Sequence, residues 1–145
     1  MRKAAAILIF FMAVSSLYAG NHDKLVGEWK FNVEKFKESD EYKEAVKDPQ
    51  KGQMMQFMIG MMGKLSFKFT KTEAIAIKPG QQGPSEDKAE YTVVSDSGDK
   101  LEIKTKNPAG NEEVIILTFI DDKNIKMEPK AKQPGPMSAM YLIKK

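Results

Sequence analysis

The stretch QMMQFMIGMMGK, from Gln53 to Lys64, holds Met54, Met55, Met58, Met61 and Met62, half of the ten methionines in the chain. Thioether sulfur is a soft ligand, and clustered methionines can hold Cu(I). On a helix, Met54 with Met58 and Met58 with Met62 stand at i, i+4, and Met137-x-x-Met140 supplies a further pair. The same side chains have two other uses. Methionine fills irregular gaps in a core, and a flexible Met surface accommodates apolar ligands. The spacing is that of one broad helical stripe, widened by Phe57 and Ile59 and interrupted only by Gln53, Gln56 and Gly60. Packing is the default reading and a ligand lid overlaps with it. Copper stands third, because nothing polar in the cluster admits a hydrated ion.

Other chemistry is sparse. His22 is the only histidine, so a His-based triad or general base is not on offer. It does open one metal reading. A chain beginning at Gly20 would present a free amine, two backbone nitrogens and the His22 imidazole to a square-planar Cu(II) or Ni(II). The acidic residues on the expected strands alternate with lysine, as a solvated face does. Asp96, Asp99, Asp121 and Asp122 fall in the turn sequences DSGD and DDKN, which hold too few oxygen ligands for calcium. The chain has no cysteine, which excludes disulfides and thiolate metal sites. The reading is therefore non-catalytic, with no metal ligands and no cofactor assigned.

The first residues, MRKAAAILIFFMAVSSLYAG, read as an export signal. Arg2 and Lys3 precede an apolar run from Ala4 to Val14, too short to span a bilayer, and Ser15 to Ala19 supply small residues for cleavage. Residues 1–19 are expected to be a signal peptide and 20–145 one domain, exported to periplasm or medium, with no transmembrane segment once the signal is removed. The chain counts 23 Lys+Arg against 20 Asp+Glu, and Arg2 is the only arginine. A domain without guanidinium groups lacks the planar fork that reads phosphate and guanine, so nucleic acid is not an expected partner.

From Leu25 the chain alternates as a strand with one wet face (LVGEWKFN) and carries the only tryptophan, Trp29. VEKFKESDEYKEAVKD has helix texture, with Asn32 or Ser39 as cap, and Asp48-Pro49 opens a second helix that contains the methionines. Two short helices are expected between Val33 and Gly63. Beyond Lys64, short alternating runs separated by turns predict an antiparallel meander. Counting the first strand gives eight, the number whose barrel closes around a small interior.

Gly27-Glu28-Trp29 on the first strand resembles the G-x-W signature of lipocalins and related calycins. The resemblance implies that Trp29 plugs one end of a barrel, with a basic residue of the last strand, Lys144 or Lys145, across its ring. A helical pair between the first two strands is similar to the intracellular fatty-acid-binding proteins, whose helices cover the open end. Those proteins often hold a ligand carboxylate with Arg-x-Tyr on the last strand. Here the matching residues are Ala139-Met140-Tyr141, so the cation is missing.

The expected architecture is a mainly β, eight-stranded antiparallel up-and-down barrel, lipocalin-like, with two short helices inserted between strands 1 and 2. The expected function is non-catalytic binding of a small apolar molecule. Phe67, Phe69, Ile75, Tyr91, Leu101, Ile103 and Tyr141 would line the site, with Met58, Met61 and Met62 as a lid. Gly27, Trp29 and Lys144 would close the barrel. Copper handling and a protein-interaction module with a filled barrel are the alternatives.

Overall fold

The computed structural model describes residues 20–107, 109–132 and 138–145. The expected signal segment and Met137 lie outside the described residues. A short helix α1 (Asn21–Leu25) precedes strand β1 (Gly27–Phe31). Helices α2 (Val33–Lys37), α3 (Asp40–Ala45) and α4 (Pro49–Met62) follow. Strands β2 (Ser66–Phe69), β3 (Glu73–Lys78), β4 (Ser85–Ser97), β5 (Lys100–Lys106), β6 (Glu112–Phe119), β7 (Asn124–Pro129) and β8 (Met140–Lys144) complete the chain. Each strand pairs antiparallel with its successor and β8 returns to β1, closing an eight-stranded up-and-down barrel.

The insertion between β1 and β2 has three helices rather than two, because both predicted caps are used. The Asn32 side chain accepts from Lys35 N at 3.1 Å, and the Ser39 hydroxyl accepts from Tyr42 N at 3.2 Å. The second cap stops one helix and starts another inside VEKFKESDEYKEAVKD. Asp48 caps α4 through Gln50 N and Lys51 N, with Pro49 in the first turn, as the sequence predicts.

Pairing register decides which side chains enter the barrel, because directly opposed residues share a face. Trp29 stands opposite Phe67, and Gly27 opposite Phe69. The turn after β2 is tied by Thr70, whose Oγ1 accepts from Glu73 N at 2.9 Å. That turn sets Phe69 against Ala74 and Phe67 against Ala76. The alanines of EAIAIK therefore face inward. Ile75 and Ile77 share the outer face with Lys68, Lys88 and Glu86. Ile75 thus stands on the outer phase: where both phases of a strand are apolar, alternation leaves the phase open and the turn decides it.

The interior packs Leu25, Trp29, Phe69, Tyr91, Leu101, Ile103, Leu117, Ile125 and Leu142 into one cluster. Burying each such side chain contributes about 1.5–3 kcal/mol. A second cluster joins the helices to the β1–β8 side of the barrel: Phe31, Phe36, Met55 and Ile59, with Tyr42, Met62, Met140 and Tyr141 packed against them.

Candidate functional site

One end of the barrel is sealed. Hairpins β2–β3, β4–β5 and β6–β7 lie there together with α1. Leu25 and Trp29 are fully buried, and the indole N–H donates to Leu25 O at 2.8 Å. Lys144 Nζ lies 5.4 Å from the Trp29 ring centroid and donates to Lys24 O at 2.8 Å. Gly27 has φ +138°, and a Cβ there would stand 3.0 Å from Lys144 Cε. The spacing Gly-x-Trp thus has a local cause: the lysine stem that reaches the indole passes over residue 27. Of the predicted closing residues, Gly27, Trp29 and Lys144 are brought into this one arrangement.

A slip in register holds α1 in place. The β4–β5 pairing shifts between Val93 and Ser95, so that Asp96 stands opposite Leu101. A bulge of this kind re-aims the side chains beyond it. The Asp96 carboxylate accepts from Asn21 N (3.3 Å), Asn21 Nδ2 (2.9 Å) and His22 N (3.2 Å). Asn21 Nδ2 also reaches Gly98 O at 2.9 Å, which satisfies a buried amide. His22 Nε2 lies 3.0 Å from Lys71 O and 3.1 Å from Tyr91 Oη. The Tyr91 hydroxyl donates to Thr70 O, so the proton shared with His22 sits on Nε2. Burial pushes the Tyr91 phenol above its ordinary value. At the β6–β7 turn, bonds from Lys123 N and the Asn124 side chain hold the Asp121 carboxyl below its ordinary value. In this fold His22 belongs to a packed helix, and the Asn21 and His22 amides that a square-planar copper site would need are engaged by Asp96.

The opposite end holds the cavity, about 1120 Å³ in volume. Its floor is Phe67, Phe69, Tyr91, Ile103, Ile115 and Met127, and its wall along β3 and β4 is Ala74, Ala76 and Ala89. Small side chains on the inward phase of two adjacent strands leave this space. Residues from both faces of β4 line it, Ala89 and Tyr91 as well as Glu86 and Lys88. Pairing explains how. β4 pairs with β3 through Ser85–Glu90 and with β5 through Tyr91–Ser97, and it changes partner at Tyr91, whose N–H still donates to Thr72 O at 2.8 Å. Above the Tyr91–Thr105 pair the two hairpins diverge. The cavity therefore opens sideways, between β4 and the end of the β5–β6 hairpin at Lys106, Asn107 and Glu112.

Of the predicted lining residues, Phe67, Phe69, Tyr91 and Ile103 meet in this cavity, and Ile75 borders it from the outer phase. Leu101 is fully buried in the core cluster and is not part of the lining. Tyr141 faces outward beside Lys126 and packs on Phe36, with ring centroids 6.5 Å apart. Met58, Met61 and Met62 do not line the cavity. Helix α4 buries Met55 and Ile59 instead, with Met62 against the same cluster. It leaves Met54, Phe57 and Met61 on the outside at 47%, 68% and 58% exposure. The reason lies at the start of the insertion. Asn32 N donates to Tyr141 O at 2.8 Å, its side chain donates to Asn124 Oδ1 at 2.9 Å, and Phe36 wedges against Phe31. These contacts tie the start of the insertion to β1, β7 and β8. The methionine stripe consequently splits into a buried part and an exposed part.

Sequence reasoning missed Ala74, Ala76, Ala89, Ile115 and Met127. The alanines carried a signal: EAIAIK spends its two smallest side chains on one phase, which is what an unfilled wall requires. Among the described residues, no group of three or more His, Cys, Asp or Glu side chains is placed to hold a metal ion, and no helix is long and apolar enough to cross a membrane. No protein-family model matches the chain, and no characterised protein or solved structure matches it significantly.

Proposed function

We propose that this is an exported, non-catalytic carrier, built as a lipocalin-like barrel, that holds a small apolar molecule in the cavity under β3 and β4. The observation that carries this reading is the wall of Ala74, Ala76 and Ala89 facing an aromatic and aliphatic floor. Natural interiors pack to high density, and alanine at three neighbouring inward positions forgoes the burial that larger side chains would give. Export is supported by the basic, apolar and small-residue succession of residues 1–19. Lipocalin-like character is supported by the Gly27, Trp29 and Lys144 arrangement. The test is direct. Native mass spectrometry and solvent extraction of the purified protein, with titration of a neutral apolar dye, should reveal a bound molecule or a saturable site that raises Tm. A protein that is empty and indifferent to such dyes refutes the carrier reading.

A second reading rests on Met54, Phe57 and Met61, an exposed apolar stripe at i, i+3 and i+7 of α4. It supports a surface through which the protein meets another protein. Sedimentation across a concentration series, with Phe57→Ser as the comparison, tests whether the stripe drives self-association.

A further inference from the structure

Strand β4 keeps one open edge. Ser85–Glu90 pair with β3, and pairing with β5 begins only at Tyr91. Among the described residues, no strand pairs with Ser85–Glu90 on the other side. Alternation says which backbone groups face that way. Tyr91 N donates to Thr72 O at 2.8 Å, so Tyr91, Ala89, Asp87 and Ser85 turn their amides toward β3. Glu86, Lys88 and Glu90 turn theirs toward the side opening of the cavity. Thr105 Oγ1 donates to Glu90 O at 3.0 Å and satisfies that carbonyl. The N–H and C=O groups of Glu86 and Lys88 are left facing the gap.

Such an edge is a template for a further strand, and charge is a common guard against one. A run of one sign would repel a second copy. Glu86 and Lys88 instead carry opposite signs on the same outer face, both exposed, and pair within the strand at 3.7 Å. An antiparallel copy centred on Asp87 exchanges that contact for its cross-strand equivalent. It sets Glu86 opposite Lys88 twice, each pair exchanging both main-chain hydrogen bonds.

The neighbouring registers fail. Centring on Lys88 opposes that lysine to itself and Glu86 to Glu90. Centring on Glu86 opposes two glutamates and brings Pro84, which has no N–H, against Lys88. Centring on Ala89 puts Glu86 opposite Thr92, where β5 already pairs through Lys104. In the Asp87 register the two Asp87 carboxylates meet on the inward face, each neutralised by the Lys78 ammonium hydrogen-bonded to it. Pro84 then falls opposite Glu90, so the added strand ends where β5 begins.

We propose that a second copy of this chain pairs edge to edge through Glu86–Lys88, forming a two-fold dimer whose joined β4 strands cover the side opening of each cavity. The contact is isologous, with the same patch used on both copies. It is small beside a standard interface, so the dimer forms in a concentration-dependent way. It needs no ligand and is separate from the stripe on α4.

The experiment is sedimentation equilibrium of the purified protein over a concentration series. The expected result is a monomer–dimer equilibrium. Glu86→Lys and Lys88→Glu should each raise its dissociation constant about tenfold or more, because both cross-strand pairs become repulsive. Mixing the two variants should restore the dimer as a heterodimer, since two lysines on one copy then face two glutamates on the other. Phe57→Ser should leave the equilibrium unchanged. A protein that stays monomeric throughout the series overturns the proposal. So does a dimer indifferent to both charge changes, a mixture that fails to associate, or a dimer lost in Phe57→Ser.

Discussion

The ammonium of Lys144 on β8 stands over the indole of Trp29 on β1 while its stem crosses Gly27, so three residues from the two strands that close the barrel lock one another. The contact joins the first strand to the last, which no hairpin does. Lys144→Met should keep the stem and lose both the cation–π contact and the bond to Lys24 O, at a cost of about 1–2 kcal/mol. Gly27→Ala should cost about 1–3 kcal/mol through its positive φ and the clash with the stem. Denaturant unfolding followed by Trp29 fluorescence measures both, since that indole is the only one in the chain.

Asn21 and Asp96 anchor α1 to the β4–β5 turn. Asn21→Leu keeps roughly the volume but leaves the carbonyls of Gly98 and Lys100 and one Asp96 oxygen without their amide partner. The expected loss is about 2–3 kcal/mol. Hydrogen exchange should show opening concentrated at residues 20–25 and 96–100. A loss spread evenly over the barrel would contradict the anchoring role.

Alkaline pH should weaken the fold through Tyr91. Burial raises its phenol above the ordinary value of about 10. The neutral form is thus favoured in the folded state, so stability is fully present below the unfolded value and is lost as pH rises through the folded one. Phenolate absorbance should show one tyrosine titrating late in the native protein. Tyr91→Phe should flatten the fall in stability above about pH 10, and an unchanged slope would contradict the assignment.

Dye binding and stability should separate at Ala76 and Ala89. Leucine at either position extends an inward side chain into the space. Dye binding should fall by at least tenfold while the melting transition stays within about 1–2 kcal/mol of the parent, because the added methylenes enter a void rather than a packed core. Leu101→Ala should behave oppositely, destabilising by about 2–5 kcal/mol through a new core cavity without touching the lining.

The orientation of α4 is tested by a pair of truncations. Met55 is 2% exposed and Phe57 is 68% exposed. Met55→Ala should cost about 2–4 kcal/mol, and Phe57→Ala should change stability by less than about 0.5 kcal/mol. Equal effects would place the helix in a different rotation.

Period-2 alternation was enough to give eight strands in the right order, and the Asp48-Pro49 start of the methionine helix was legible because caps act on their nearest neighbours. Gly27, Trp29 and Lys144 were named from the resemblance of Gly27-Glu28-Trp29 to the G-x-W signature, which implies a basic residue of the last strand over the tryptophan. Three matters depended on contacts between distant residues. The phase of β3 was set by the Thr70 turn against β2, because both phases of EAIAIK are apolar. The rotation of α4 was set by Phe36 and Asn32 meeting Tyr141 and Asn124, about a hundred residues away, which turned Met61 outward and Met55 inward. The side opening arose from β4 exchanging one partner for the other at Tyr91. Local sequence determined that there would be strands and caps, because those forces act within a few residues. Only the tertiary structure decided which apolar face looks inward and where the interior is left open, because those depend on register between strands.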